Sequence, residues 1–226
     1  MPSYEQLGFG QGAALTGDRA RAVFGQVMGL VAFALGFAAL GAYVARDIQG
    51  GGGFIFLIAA FGCIFGLQAA VARGHEQLAV GLLFGLALLL GMALSPFIVY
   101  SAKSDPGVVW QAAGATALFT AALGGYGFST RRDLSTVYKW AFRVFWVVLL
   151  FGLITFFIAI PSSNIIYCVA MLVVFGAFTM FDFQRLAKQP DNVSPVPIAA
   201  SLFLDIFNVF ILFLSLFGGG GGGRRS

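Results

Sequence analysis

The sequence has few charged residues and a single histidine. Of its 226 residues, 13 are Lys or Arg and 9 are Asp or Glu, so charged residues make up 10% of the chain, against about 25% in soluble domains. This scarcity excludes a water-soluble enzyme and a nucleic-acid binder that depends on a basic face. The lone His75 excludes a metal site built from several histidines. The two cysteines, Cys63 and Cys168, lie in apolar segments and indicate no disulfide framework.

What the sequence does contain is long uncharged segments. Hydrophobic residues make up 59% of the chain, and a helix needs about 20 apolar residues to cross a bilayer. The 38 residues between Arg143 and Asp182 are too many for one span and contain the turn signal Pro161-Ser162-Ser163-Asn164, so they predict two helices. The predicted spans are 22–45, 54–72, 77–100, 108–128, 143–160, 164–183 and 198–217.

The sequence therefore predicts an all-α integral membrane protein with seven transmembrane helices. The apolar segments lack the alternation that is typical of a membrane barrel. We expect three parts: a cytoplasmic N-terminal segment (1–21), a seven-helix transmembrane domain (22–217) and a Gly-rich C-terminal tail (218–226). The lipid bilayer is thus the first predicted partner, and nucleic acid is not expected to be one.

The basic residues predict the orientation. Nine of them fall on the side of the N-terminus and four on the other side. The positive-inside rule then places the N-terminus in the cytoplasm and the C-terminus outside. A last span that is only re-entrant would leave the C-terminus in the cytoplasm instead. Low cysteine use and short loops favour a bacterial inner membrane, with an organelle membrane as the alternative.

Pairs of glycines four residues apart predict where helices approach closely. Small residues at this spacing allow backbones to come together in lipid, where they more often serve packing than chemistry. The pairs are Gly25 and Gly29, Gly62 and Gly66, and Gly81 and Gly85.

One carboxylate falls deep inside a predicted span. Asp205 lies eight residues into the last one, between Leu204 and Ile206. An ionised Asp at a helix centre costs about 2.5 to 3.5 kcal/mol, and such residues face the bundle interior and mark ion or proton pathways. Ser201 and Asn208 share its helix face, so a polar stripe is predicted to point inward.

A second carboxylate, Asp182, lies near the end of the sixth span and has two interpretations. It can reach the interface and pair with Arg185 at i+3. Alternatively, because the sixth and seventh spans are antiparallel, it can come to a similar depth as Asp205. Two carboxylates that meet in a low-dielectric site cannot both stay ionised, so they would share a proton. When ionised, they would offer oxygen ligands to a hard cation such as Ca²⁺.

Three segments of this sequence resemble the Bax inhibitor-1 family, also called the transmembrane Bax inhibitor motif family. Tyr126–Ser135 is similar to the family's loop between the fourth and fifth helices. Met180–Gln184 resembles the end of its sixth helix, and Ala199–Phe210 resembles its seventh helix. The match in length and hydrophobic layout extends over residues 20–217.

The resemblance implies a fold in which six helices surround a central, aspartate-bearing seventh helix. It also implies that Asp182 and Asp205 match the family's aspartate pair, which is associated with a pH-sensitive Ca²⁺ leak. The implied pair shares a proton in a closed state and favours opening once deprotonated. The sequence departs from the family at Phe203, where a Tyr is common, and in a basic cluster that is reduced to Arg73. Arg73 is thus either a gating partner of the pair or a plain positive-inside anchor.

These observations give a leading hypothesis and two alternatives, none of them an enzyme. The leading hypothesis is a pH-sensitive cation leak, with Asp182 and Asp205 as the proton and weak Ca²⁺ site and Ca²⁺ as the permeant ion rather than a cofactor. The second is a non-conducting regulator that binds other membrane proteins, such as a quality-control protease. The third, a proton-coupled transporter, calls for repeated halves with broken helices, and the sequence contains no convincing repeat.

Overall fold

Seven helices account for most of the chain. A computed structural model describes residues 9–47, 52–157, 163–188 and 194–219. Within them, seven helices are long and apolar enough to cross a membrane, which confirms the predicted fold class. The helices are α1 (Phe9–Val44), α2 (Gly52–Ala72), α3 (Glu76–Ser104), α4 (Pro106–Ser129), α5 (Ser135–Phe157), α6 (Ser163–Ala187) and α7 (Val196–Gly219).

The last helix, α7, lies in the middle of the bundle. It packs against α1, α2 and α3 on one side and against α4 and α6 on the other, while α5 packs against α6. Its membrane-spanning window is the most buried of the seven. Phe145 and Val148 of α5 nevertheless join a cluster that includes Val209 of α7. A polar group on α7 therefore meets protein on nearly every side.

The helix ends differ from the prediction mainly at α5, which was predicted to begin at residue 143. It begins instead at Ser135, because Asp133 caps it: its carboxylate accepts hydrogen bonds from the Ser135 amide (2.9 Å) and hydroxyl (2.9 Å). These bonds also hold the pKa of Asp133 below its usual range. Lys139 thus lies on the helix rather than before it, and Arg143 lies about two turns inside the helix rather than at its start, since a charge does not end a helix when its long side chain can reach water.

Other predicted boundaries are close to the observed ones. The membrane-spanning part of α1 begins at Arg21, but the helix itself begins at Phe9, within the predicted N-terminal segment. The α3 and α4 helices are separated by Asp105, whose carboxylate accepts a hydrogen bond from the Gly107 amide (2.8 Å). The predicted turn at Pro161-Ser162 and the tail from Gly220 onward lie outside the described residues.

The glycines that bring helices together are not the predicted pairs. A Cβ added at Gly25, Gly29, Gly62 or Gly81 would meet nothing within 4 Å, so the prediction was wrong for these four. A Cβ at Gly66 would contact only the Leu82 side chain, and one at Gly85 only the Cys63 side chain.

The α1–α3 contact instead depends on two glycines that do not form such pairs. A Cβ at Gly41 would collide with the backbone carbonyl of Leu88, and one at Gly91 with that of Ala38. The Ser95 hydroxyl donates a hydrogen bond of 2.6 Å to the carbonyl of Ala42 at the same contact. Backbone proximity and an interhelical hydrogen bond are the interactions that hold helices together in lipid.

Candidate ion and proton site

The site forms where the end of α6 meets the first half of α7. Asp182 and Asp205 are both buried, with 2% and 4% of their surface exposed. Ser201 lies one turn before Asp205 on the same face of α7 and faces α6. Two acidic side chains from two helices are thereby enclosed in the lipid-embedded part of the protein.

Asp182 is bound on both of its carboxylate oxygens. The Ser201 hydroxyl donates a hydrogen bond to Oδ2, which ties α7 to α6. The Arg185 guanidinium donates to Oδ1 at 3.2 Å. The predicted i+3 pair with Arg185 is therefore formed, but it is Arg185 that reaches outward, with 44% of its side chain exposed, while Asp182 stays inside. A carboxylate with two donors, one of which is a cation, is well suited to carry a negative charge.

Asp205 is in the opposite situation. Its Oδ2 is buried and has no hydrogen-bond partner among the described residues. No hydrogen bond in that part of the chain joins it directly to Asp182; the two are linked through α7, because Ser201, which bonds to Asp182, lies one turn before Asp205. A buried polar atom without a partner is costly and marks a group whose chemistry needs explanation.

The other two predicted residues contact neither aspartate through a hydrogen bond in the described chain. The Asn208 side-chain amide donates to the carbonyl of Leu204 (2.7 Å), on its own helix. Arg73 is exposed in the turn after α2, where its amide bonds to the α2 backbone. Its guanidinium forms no ion pair with the described residues.

A small cavity adjoins the site on the side of α2 and α3. It has a volume of about 140 Å³ and is lined by Gln68 of α2, Leu86 of α3, and Pro197 and Ser201 of α7. Gln68 lies five residues before Arg73, and it was not among the predicted residues. Its only signal in the sequence is that it is a polar residue inside an otherwise apolar span.

Gln184 is a second residue of the site whose role the sequence pattern does not indicate. It is 3% exposed, and its side-chain amide clamps the loop between α4 and α5 onto α6. Its Oε1 accepts from the Leu134 amide (3.0 Å), and its Nε2 donates to the carbonyl of Arg132 (2.6 Å). This clamp fixes the α6 end that carries Asp182.

An aromatic layer covers the same end of α6. The Tyr138 ring of α5 stacks on Phe181 with ring centroids 4.4 Å apart. The guanidinium of Arg185 lies 5.9 Å from the centroid of the same Phe181 ring. Among the described residues, the charged group bonded to Asp182 is Arg185, and the titratable side chain that stacks on the adjacent Phe181 is Tyr138.

A family model described as "Inhibitor of apoptosis-promoting Bax1" matches residues 20–222. This chain belongs to the Bax inhibitor-1 family. The resemblance found in the three sequence segments is thereby confirmed, and the protein is a multi-pass membrane protein of that family.

Similar proteins occur in bacteria and in a virus. An uncharacterized protein of Helicobacter pylori is 31% identical over 166 residues, which is 73% of this chain and 71% of the relative. An uncharacterized protein of Borreliella burgdorferi is 24% identical over 212 residues, or 85% of this chain and 90% of the relative. The Golgi anti-apoptotic protein of vaccinia virus is 27% identical over 172 residues, or 76% and 71%. The similarity to these relatives thus extends over most of this chain.

Proposed function

We propose that this protein is a pH-sensitive cation leak in which Asp182 and Asp205 form the proton and ion site. The observation that carries the proposal is the unequal environment of two enclosed carboxyl groups. Asp182 has a hydroxyl donor and a guanidinium, whereas the Oδ2 of Asp205 has no partner among the described residues. Burial of an ionised carboxylate without a partner is the more costly case.

In the proposed closed state, Asp182 is ionised and Asp205 carries a proton. The hydrogen bond from Ser201 to Asp182 then holds α7 against α6. Loss of the proton from Asp205 places two negative charges in the site, where Arg185 is the one cation that pairs with either aspartate in the described part of the chain. The repulsion between the two carboxylates favours separation of the helices. The oxygens of the ionised carboxylates can then bind a hard cation. The leak should therefore rise as pH rises.

The ion is proposed to be Ca²⁺, bound weakly. The described residues contain no group of three or more His, Cys, Asp or Glu side chains that could hold a metal. Two carboxylates, a serine hydroxyl and water would give a site of low affinity, since tight Ca²⁺ sites supply six to eight oxygens. A weak site suits an ion that must leave as well as enter.

Flux into liposomes loaded with a Ca²⁺-sensitive dye tests the proposal. Asp205→Asn removes the titrating group with little change of shape, and we expect the flux to lose its pH dependence. Glu76→Gln is the matched control, because Glu76 is an exposed carboxylate at the start of α3. Arg73→Gln tests whether Arg73 is a gating partner. If Arg73 holds the pair in its closed state, the substitution should raise the flux at acidic pH. An unchanged pH profile in folded Asp205→Asn protein would refute the role of the pair.

The alternative proposal is a non-conducting regulator that binds other membrane proteins. It is favoured by α5, which packs against α6 and presents Trp140, Phe142 and Trp146 outward. Large exposed aromatic residues are typical of interaction surfaces as well as of lipid-facing ones. This proposal predicts no flux at any pH and co-purification of a membrane protein, such as a quality-control protease. Trp146→Ala should weaken that association.

The proposed location is a bacterial inner membrane with a cytoplasmic N-terminus. The protein is an integral membrane protein with bacterial relatives, and the distribution of basic residues supports the orientation. In this orientation the α6 end that carries Asp182 faces the cytoplasm, so cytoplasmic pH would control the pair. The C-terminus is proposed to lie outside.

A further inference from the structure

A long groove separates α1 from α4 on the side of the bundle. Its volume is about 980 Å³, at the upper end of the range of ligand sites. On α1 its lining runs from Arg21 to Leu35, a distance of about 21 Å at 1.5 Å per residue. Its remaining lining comes from α4, α7 and Phe183 of α6. The groove is therefore elongated along the membrane normal.

The chemistry of the groove is apolar along its length and cationic at one end. Apart from Arg21, the polar side chains in its wall are Thr116 and Thr120. The Thr116 hydroxyl bonds to its own helix (2.7 Å), whereas the Thr120 hydroxyl is buried and has no partner in the described part of the chain. Arg21 lies at the end where Phe24 of α1 meets Phe128 of α4, with ring centroids 5.4 Å apart.

The groove opens towards the surroundings of the bundle. Four residues of α4 line the groove and are nevertheless exposed at the surface: Ala113, Ala117, Ala121 and Gly125. Both α1 and α4 are apolar membrane spans over this length, so the molecules outside the opening are lipids. A long apolar groove that opens into the bilayer is suited to an acyl chain.

The charges at the end of the groove indicate which lipid. Arg21 lines that end, and Arg131 and Arg132 follow α4 at the same end. A guanidinium binds phosphate oxygens in a planar, bidentate arrangement. We propose that the groove binds one acyl chain of a phospholipid whose phosphate lies at Arg21.

The bound chain would lie next to the aspartate pair. Phe183 and Ile206, which line the groove, directly follow Asp182 and Asp205 in sequence. Gly124 of α4 makes room for the Phe183 ring, because a Cβ there would come within 2.6 Å of it. The lipid site does not depend on conduction, so it can be tested separately from the proposed leak.

A phospholipid that carries a photoreactive diazirine on one acyl chain tests the site in lipid nanodiscs. We expect labelled peptides to come from the α1 and α4 lining. Ala121→Phe fills the groove and should reduce this labelling at least several-fold. Ala122→Phe is the matched control, since Ala122 is exposed on the same helix and does not line the groove. It should leave the labelling unchanged.

A second variant tests the phosphate contact. Arg21→Gln should lower labelling of the groove by an anionic phospholipid, whereas Arg46→Gln at the opposite end of α1 should not. Equal labelling in wild type and Ala121→Phe, or labels spread evenly over α5 and the groove, would overturn the proposal. So would a cross-linked dimer joined through the groove peptides, because the occupant would then be a second copy of the chain. The wild-type label map decides the question even if Ala121→Phe fails to fold.

Discussion

The hydrogen bond from Ser201 to Asp182 is the direct link between α7 and the acidic end of α6. Ser201→Ala removes the donor and leaves Asp182 paired with Arg185 alone. Hydrogen bonds to charged groups contribute about 1.5–3 kcal/mol. Because Ser201 is only partly buried and the Arg185 pair remains, we expect the lower end of this range.

A loss of about 1.5 kcal/mol corresponds to a change of about tenfold in the equilibrium between closed and open states. The assay is Ca²⁺ flux into dye-loaded liposomes at acidic pH, where the wild type is mostly closed. We expect Ser201→Ala to raise the rate about tenfold. Ser201→Thr keeps the hydroxyl and should stay close to the wild-type rate.

The chain supplies a matched control at the other end of the same two helices. The Ser215 hydroxyl donates to Asn164 Oδ1 at 3.3 Å, so Ser215→Ala also removes a bond between α7 and α6. Its acceptor is neutral and lies away from the aspartates, so the flux at acidic pH should not change. The reasoning is refuted if folded Ser201→Ala conducts like the wild type, or if Ser215→Ala has the same effect.

Two further predictions concern stability. Gly91→Ala places a methyl group against the Ala38 carbonyl and should cost about 1–3 kcal/mol by overpacking, seen as a lower Tm in detergent. Gly81→Ala, on the same helix with open space around it, should be neutral or stabilising, and equal Tm values for both would contradict the proposed contact. Gln184→Ala leaves the Leu134 amide and the Arg132 carbonyl without their partner and should cost about 1–3 kcal/mol. Faster hydrogen exchange at residues 130–134 would report the released loop, and unchanged exchange would count against the clamp.

The position of Asp205 inside the membrane could be predicted from the sequence, because it depends only on the residues that flank it in its own helix. Asp205 is surrounded in sequence by apolar residues, so its burial follows from the length of the span alone. Asp182 was ambiguous, since a carboxylate near a helix end can face water or protein. It is buried because α7 packs against α6 at this point, where Ser201 contacts it.

The sequence by itself determined the seven spans, because each needs a run of apolar residues whatever its neighbours are. It did not determine which glycines bring helices together, that Gln184 clamps a loop, or that α1 and α4 leave a groove between them. In a soluble protein, the polar faces of helices would reveal which sides pack. In lipid, the packed face and the lipid-facing side are both apolar, so only the tertiary structure decides which faces meet.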